Sequence, residues 1–299
     1  MARRLTTVLT VAVLFVLVFV VTPLRCEGGS TEIEELPPSF AHPFGTDDLG
    51  RDVFSLTLEA GFEGVTRALF VGALSCIVAV FSAFFGEMFE SLGNVLNSIA
   101  KGILSIPAVF ISLIVLGIQI ENLDLRERAF VILSLFVVWS VCFNTIGGRF
   151  KSVMSSEYVR ASKALGVKWP VLLFSHVVPN SLEVILEGFF GALALVVSLE
   201  ATVGFLGIGI PNSLGELIRI HFLRSIGYVG MRELSIALLG PFLAVLGNHS
   251  ASLTSHLIRW RGINLWSFLL PLGYLVDVLL FIKVISKLSV DLVKRVYYR

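Results

Sequence analysis

Glu157-Tyr158-Val159-Arg160-Ala161-Ser162-Lys163-Ala164-Leu165-Gly166, running on through Val167-Lys168-Trp169-Pro170 to His176-Val177-Val178-Pro179-Asn180, is polar, basic and rich in small residues. It interrupts an apolar chain. Ser155 or Ser156 can cap a helix here, and Glu157 stands in the first turn, where the helix dipole favours an acid. The spacing predicts a helix to Leu165 with Gly166 as its C-terminal stop. Ala161 and Ala164 are three apart and share a smooth face, flanked by the apolar anchors Tyr158 and Leu165. Trp169 and Pro170 open a second short helix that ends before Pro179. Two short helices kinked at a glycine suit a contact element standing off a membrane. The competing reading is an ordinary solvated loop with one helical turn.

The surrounding chain supports the membrane. Of 299 residues 56% are hydrophobic and 15% charged, and the mean hydropathy is +0.88. Soluble domains carry more charge and less apolar content, so the fold class expected is all-α integral membrane. The net charge of +1 says little; the distribution of charge is informative. Cys26, Cys76 and Cys142 form no CxxC, and the five histidines show no HExxH spacing. Neither a disulfide framework, a metal site nor a catalytic constellation is expected.

Apolar runs place candidate spans at 5–23, 68–88, 103–120 (carrying Pro107), 129–146, 184–210 and 234–253. The first, preceded by Arg3 and Arg4, reads as an uncleaved span rather than a signal peptide. The acid-rich segment 25–67 fits the outside. The loop 147–180, with Arg149, Lys151, Arg160, Lys163 and Lys168, is the densest basic loop and belongs in the cytoplasm. Stretch 90–101 reads as short and polar. A seventh apolar run at 266–285 contains Asp277 and Lys283. As an outward crossing it would carry Lys287, Lys294, Arg295 and Arg299 outside, against the charge bias. The alternative is a basic helix lying on the cytoplasmic leaflet. The chain divides into 1–67 (first helix and external segment), 68–262 (membrane core) and 263–299 (C-terminal extension).

The run Glu157–Gly166 followed by His176-Val-Val-Pro-Asn180 resembles the EAA loop of ABC-importer permeases. His42-Pro-Phe-Gly-Thr-Asp-Asp-Leu-Gly-Arg-Asp-Val-Phe-Ser55 is similar to the segment after the first span of the dipeptide/oligopeptide/nickel group. Gly204-Phe-Leu-Gly-Ile-Gly-Ile-Pro211 is similar to the end of that group's fifth span. The three motifs occur in the group's order and cover about 1–211. The chain departs from the group where Asn212 follows Pro211, where Leu214-Gly215 stands for Trp-Gly, and beyond Gly262.

The resemblance implies a type I importer permease fold: six core transmembrane helices, a cytoplasmic coupling helix, and an optional extra C-terminal helix. It implies half of a translocation pathway in the cytoplasmic (inner) membrane for peptides, or a related solute such as an oligosaccharide or nickel complex. It implies as partners a second homologous permease, two ATP-binding subunits, an extracytoplasmic solute-binding protein and the lipid bilayer, but no nucleic acid. Glu157, Tyr158, Arg160, Ala161, Ala164, Leu165 and Gly166 would couple to the ATPase. The chain has no GxxxxGK[ST] loop, so ATP and Mg²⁺ are expected in the partners and no cofactor in this chain.

Three further groups are candidates. Asp47, Asp48 and Arg51 could dock the binding protein; the local reading puts Thr46 or Asp47 at a helix cap and pairs Arg51 with a nearby acid. Glu200, an acid in an apolar run, is a candidate pathway or gate residue, unless it reaches water at the outer interface. Glu183 and Glu187, four apart, should pair with basic residues of the loop. The rival functions are an ion-coupled secondary transporter using Glu200, which should show inverted repeats, and a membrane-embedded hydrolase, for which no paired catalytic spacing exists.

Overall fold

In the computed structural model the residues described are Thr46, 50–117, 123–210, 213–225 and 265–297. The spans expected at 5–23 and 234–253 lie outside them. Among the described residues the elements are helical, and the one β contact is an isolated bridge between Thr46 and Asp52. Val53–Met88, Leu125–Met154 and Pro179–Phe205 are long and apolar enough to cross a membrane.

Helix α1 (Val53–Met88) starts where the Asp52 carboxylate accepts from the Ser55 N–H at 2.9 Å and the Ser55 hydroxyl at 2.7 Å. Sequence reasoning began this span at 68. The helix is instead continuous for 36 residues, so the 67/68 division falls inside it. Packing explains the extension. Ala60 joins Leu214, Leu217 and Ile218 in a separate small core, which covers the segment's apolar face outside the main bundle.

Helix α2 (Glu90–Leu104) folds back on α1 and occupies the stretch read as polar. The turn depends on glycine: a Cβ on Gly93 would press into the Gly86 carbonyl. Helix α3 (Ala108–Gly117) follows Pro107. Pro107 therefore separates two helices rather than kinking one span over 103–120, because proline restricts the residue before it and lacks an N–H for the ladder.

Helix α4 (Leu123–Met154) passes through Gly147 and Gly148, where the loop was expected to begin. Its buried face continues through Ile146, Phe150, Val153 and Met154. That periodic burial outweighs the helix cost of two glycines, about 1 kcal/mol each.

Helix α7 (Leu182–Phe205; α5 and α6 lie in the preceding loop) packs against α1 and α4 around Ala79, Phe84, Cys142, Ile146 and Val196. Gly72 permits the α1–α7 approach, since a Cβ there would come within 2.9 Å of Leu193. Polar bridges knit α1 to α4: Ser75 Oγ donates to the Leu135 carbonyl at 3.2 Å, and Trp139 Nε1 to Ser82 Oγ at 3.1 Å.

Helix α8 (Leu214–Ser225) caps the outer end of α7. Helix α9 (Leu265–Tyr297) packs along α7 and also touches α1 and α8. It runs antiparallel to α7. Its Tyr274 stands against Gly61 near the outer end, and its Lys294 Nζ reaches Glu183 Oε1 at 2.7 Å, at the end carrying the basic loop. The extension is thus a helix docked along α7. Its direction brings Lys287 and Lys294 to the basic side, in line with the charge bias.

Candidate functional site

Two constellations stand at opposite ends of this bundle. The inner one is the loop between α4 and α7. Helix α5 (Glu157–Ala164) has Ser156 at its N-cap position. The Ser156 hydroxyl does not serve the new helix; it donates back to the Val153 carbonyl at 2.5 Å, covering the end of α4. At the other terminus Gly166 takes φ +76°. Its N–H bonds the Lys163 carbonyl at 3.0 Å and the Val167 N–H bonds the Ser162 carbonyl at 3.1 Å. The sequence pointed to Gly166 as the stop, and the structure closes it with two backbone bonds.

One residue anchors α5. Val159 is 0% exposed, while Glu157, Tyr158, Arg160, Ala161, Lys163, Ala164 and Leu165 are exposed. At 100° per residue, Glu157, Ala161 and Ala164 project opposite Val159. Leu165 beside them is 84% exposed. Tyr158 leans on the His176 ring, centroids 6.0 Å apart, so it is partly held within the loop.

A short helix α6 (Trp169–Val171) then leads into a π-helical turn, Leu172–Val177, and a tight turn, Pro179–Ser181. Trp169 packs on Phe85 and Phe174 on Phe81, with ring centroids 5.3 and 6.5 Å apart. The loop is thereby seated on the foot of α1. Arg149 clamps its far end, donating from Nε at 3.1 Å and Nη2 at 3.0 Å to the Asn180 carbonyl. Glu183 pairs with Lys294 of α9 instead of a loop cation. Of the loop cations, Arg149 comes to the same turn but donates to the Asn180 carbonyl, and α9 delivers a lysine directly to the first turn of α7. Glu183 holds the Lys294 ammonium above its usual range, by hydrogen bond first and charge second.

The outer constellation centres on Arg67. Its Nη2 and Nε donate to Glu200 at 2.6 and 3.2 Å, and its Nη1 lies 3.3 Å from both Glu63 and Glu127. One guanidinium therefore ties α1, α4 and α7 together. Glu200 is only 4% exposed, so it does not simply reach water. The expected acid is present, but its cation was missed. Arg67 closes an acid-rich segment in sequence and reads as a boundary; the cue available was its four-residue spacing from Glu63.

Asp47 and Asp48 lie outside the described residues. Arg51 is half-buried beside the Asp52 cap, and the cap itself is Asp52, where sequence reasoning named Thr46 or Asp47. No group of three or more potential metal ligands occurs among the described residues. A cleft of about 210 Å³ between α1, α7 and α9 is lined by Ala68, Phe190, Leu193, Val278 and Ile282. It offers no polar group to orient a hydrophilic solute.

Residues 75–253, more than half of the chain, match the family model described as binding-protein-dependent transport system inner membrane component. The chain is 26% identical over 217 residues to the oligopeptide transport system permease protein OppC of Bacillus subtilis, covering 70% of this chain and 68% of that protein. It is 27% identical over 213 residues to the dipeptide transport system permease protein DppC of Alkalihalophilus pseudofirmus, covering 68% and 67%. Against DppC of Bacillus subtilis it is 26% identical over 183 residues, covering 59% and 54%; this chain thus spans about half of that relative.

Proposed function

The chain belongs to the family of binding-protein-dependent transport system inner membrane components, and from that premise we propose that it forms half of an ATP-driven import pathway for peptides. Peptide cargo is read from the named relatives. A second homologous permease completes the path, two ATP-binding subunits dock below with their ATP and Mg²⁺, and a solute-binding protein delivers from outside. Asp47, Asp48 and Arg51 are its candidate docking residues.

The observation that carries this reading is the presentation of α5. A helix whose one buried side chain is Val159, with Leu165 84% exposed beside a smooth alanine face, is built to enter a groove. Its mounting suits force transmission. α4 enters it, α7 leaves it, and the Arg149–Asn180 clamp joins the two, so a displacement of α5 reaches both helices. ATP binding in the partners would move α5 and open the path outward; release of ADP would return it. The cycle requires the path to bind solute differently in its two states, since equal affinity shifts no population.

Glu200 acts here as the acid of an outer latch between α1 and α7. Its two-point bond to Arg67 disfavours the proton-coupled rival, because protonating Glu200 would give up the shortest of the guanidinium's ion pairs, at 2.6 Å.

Purification with the native neighbours tests the reading. The ATPase subunit should co-purify, and Leu165→Glu should release it while the permease stays folded. Absence of an ATPase partner, or ATP-dependent uptake left intact by Gly166→Pro, sinks the model.

A further inference from the structure

Helix α9 buries one face and leaves the other open. Val278, Phe281 and Ile282 turn toward α1 and α7. On the opposite side Val276, Leu280, Lys283, Lys287 and Asp291 are exposed, and their spacing of three or four makes a single helical stripe.

Neighbours fix the depth of Lys283. Val278 lines the same small cleft as Gly61, Glu200 and Tyr274 at the outer end, and Lys294 is bonded to Glu183 at the inner end. By its number Lys283 lies roughly midway between Tyr274 and Lys294, ~14 Å from one and ~16 Å from the other along the helix. With those two ends at the faces of a hydrocarbon layer about 30 Å thick, its Cα lies near the middle. The four-carbon stem cannot carry the ammonium to either surface, and an ammonium facing lipid at that depth is strongly disfavoured.

Among the described residues no salt bridge engages Lys283 or Lys287. Of the acids on the packed elements, Glu200 is committed to Arg67 and Glu183 to Lys294, and Asp291, four residues on from Lys287 along the stripe, forms no salt bridge with it. Two lysines one turn apart also repel each other. A protein surface at this depth would have to supply acids to compensate them; water needs to supply nothing further.

We propose that this stripe of α9 lines the water-filled solute path and that Lys283, with Lys287 one turn further in, binds a carboxylate of the passing solute. The proposal rests on the importer reading and adds to it an anionic contact; for a peptide this is the terminal carboxylate. It also gives a function to a helix that lies beyond the segment matched by the family.

The test uses the assembled transporter in proteoliposomes. Lys283→Cys, Lys287→Cys and the buried control Val278→Cys are each exposed to a membrane-impermeant methanethiosulfonate. The native Cys76 and Cys142 thiols are buried, and the unsubstituted protein sets the background. Reaction at 283 and 287 should run about tenfold or more faster than at 278, and its rate should change when the ATPases are trapped with nucleotide. Separately, uptake of a peptide is compared with uptake of its C-terminal amide. The unsubstituted protein should prefer the free acid, Lys283→Gln should reduce that preference about tenfold, and Lys283→Arg should keep it.

Equal reactivity at 283 and 278 overturns the path-lining assignment. Rapid reaction with an unaltered acid-to-amide preference in Lys283→Gln overturns the carboxylate contact. Failure of the unsubstituted transporter to move any peptide counts against the cargo reading, and the thiol rates still decide whether α9 faces water.

Discussion

Val159 and Leu165 share one short helix and have opposite fates. Val159→Ala removes the only buried side chain of α5 and should cost about 1–3 kcal/mol, by lost transfer energy plus a cavity. Thermal unfolding of the solubilised protein would register that loss. Leu165→Ser touches no core and should change stability by less than about 0.5 kcal/mol, yet it should weaken retention of the ATPase on a column. At the other end, Arg67→Ala leaves Glu200 buried without its cation, at a cost of about 3–5 kcal/mol. Glu200→Gln should cost less, because Glu63 and Glu127 still hold the guanidinium. Equal losses from the two variants would show that the latch is not centred on Arg67. Glu200 was legible in sequence because an acid within an apolar run stands out. Val159 was not: a valine between Tyr158 and Arg160 carries no mark of being the anchor, and only the fold reveals which side of a short helix faces in.

At the scale of elements, sequence reasoning succeeded where local chemistry sets the boundary and failed where packing does. Gly166 ends α5 because a left-handed residue is needed there, and glycine supplies it without strain. The start of α1 and the end of α4 were misplaced by about two to four turns, since polar residues at 53–67 and 147–154 read as loop. Each stretch stays helical because other parts of the chain cover its apolar face, and a linear pattern does not contain those partners. The same holds for α9, whose docking depends on Gly61. A methyl group there would collide with the Tyr274 ring. Gly61→Ala should therefore loosen the outer half of α9 while leaving α1 helical, where alanine is the better former. Faster hydrogen exchange confined to the first half of α9 would verify this.

For the whole molecule, the direction of α9 makes a topological prediction. A reporter fused to the C-terminus should be active only as a cytoplasmic fusion, and an external phosphatase fused there should be silent. Outside activity would reverse the assignment. The Glu183–Lys294 tie adds a pH signature. A lysine whose folded value is raised contributes stability that is fully present below its unfolded value and lost as pH rises through the folded one. The tie should therefore be intact at neutral pH and fail only above 10.5, the ordinary lysine value. Glu183→Gln should abolish that alkaline step.

The turn over Leu172–Val177 winds wider than an α-helix, and the next, at Pro179–Ser181, winds tighter. Between them they set the compass bearing at which Leu165 points relative to α7. One residue of α-helix is worth ~100° of rotation and 1.5 Å of rise. Inserting or deleting a single residue in this stretch would re-aim the docking face without altering any membrane helix. Loop length is thus a tuning peg for the aim of the docking face.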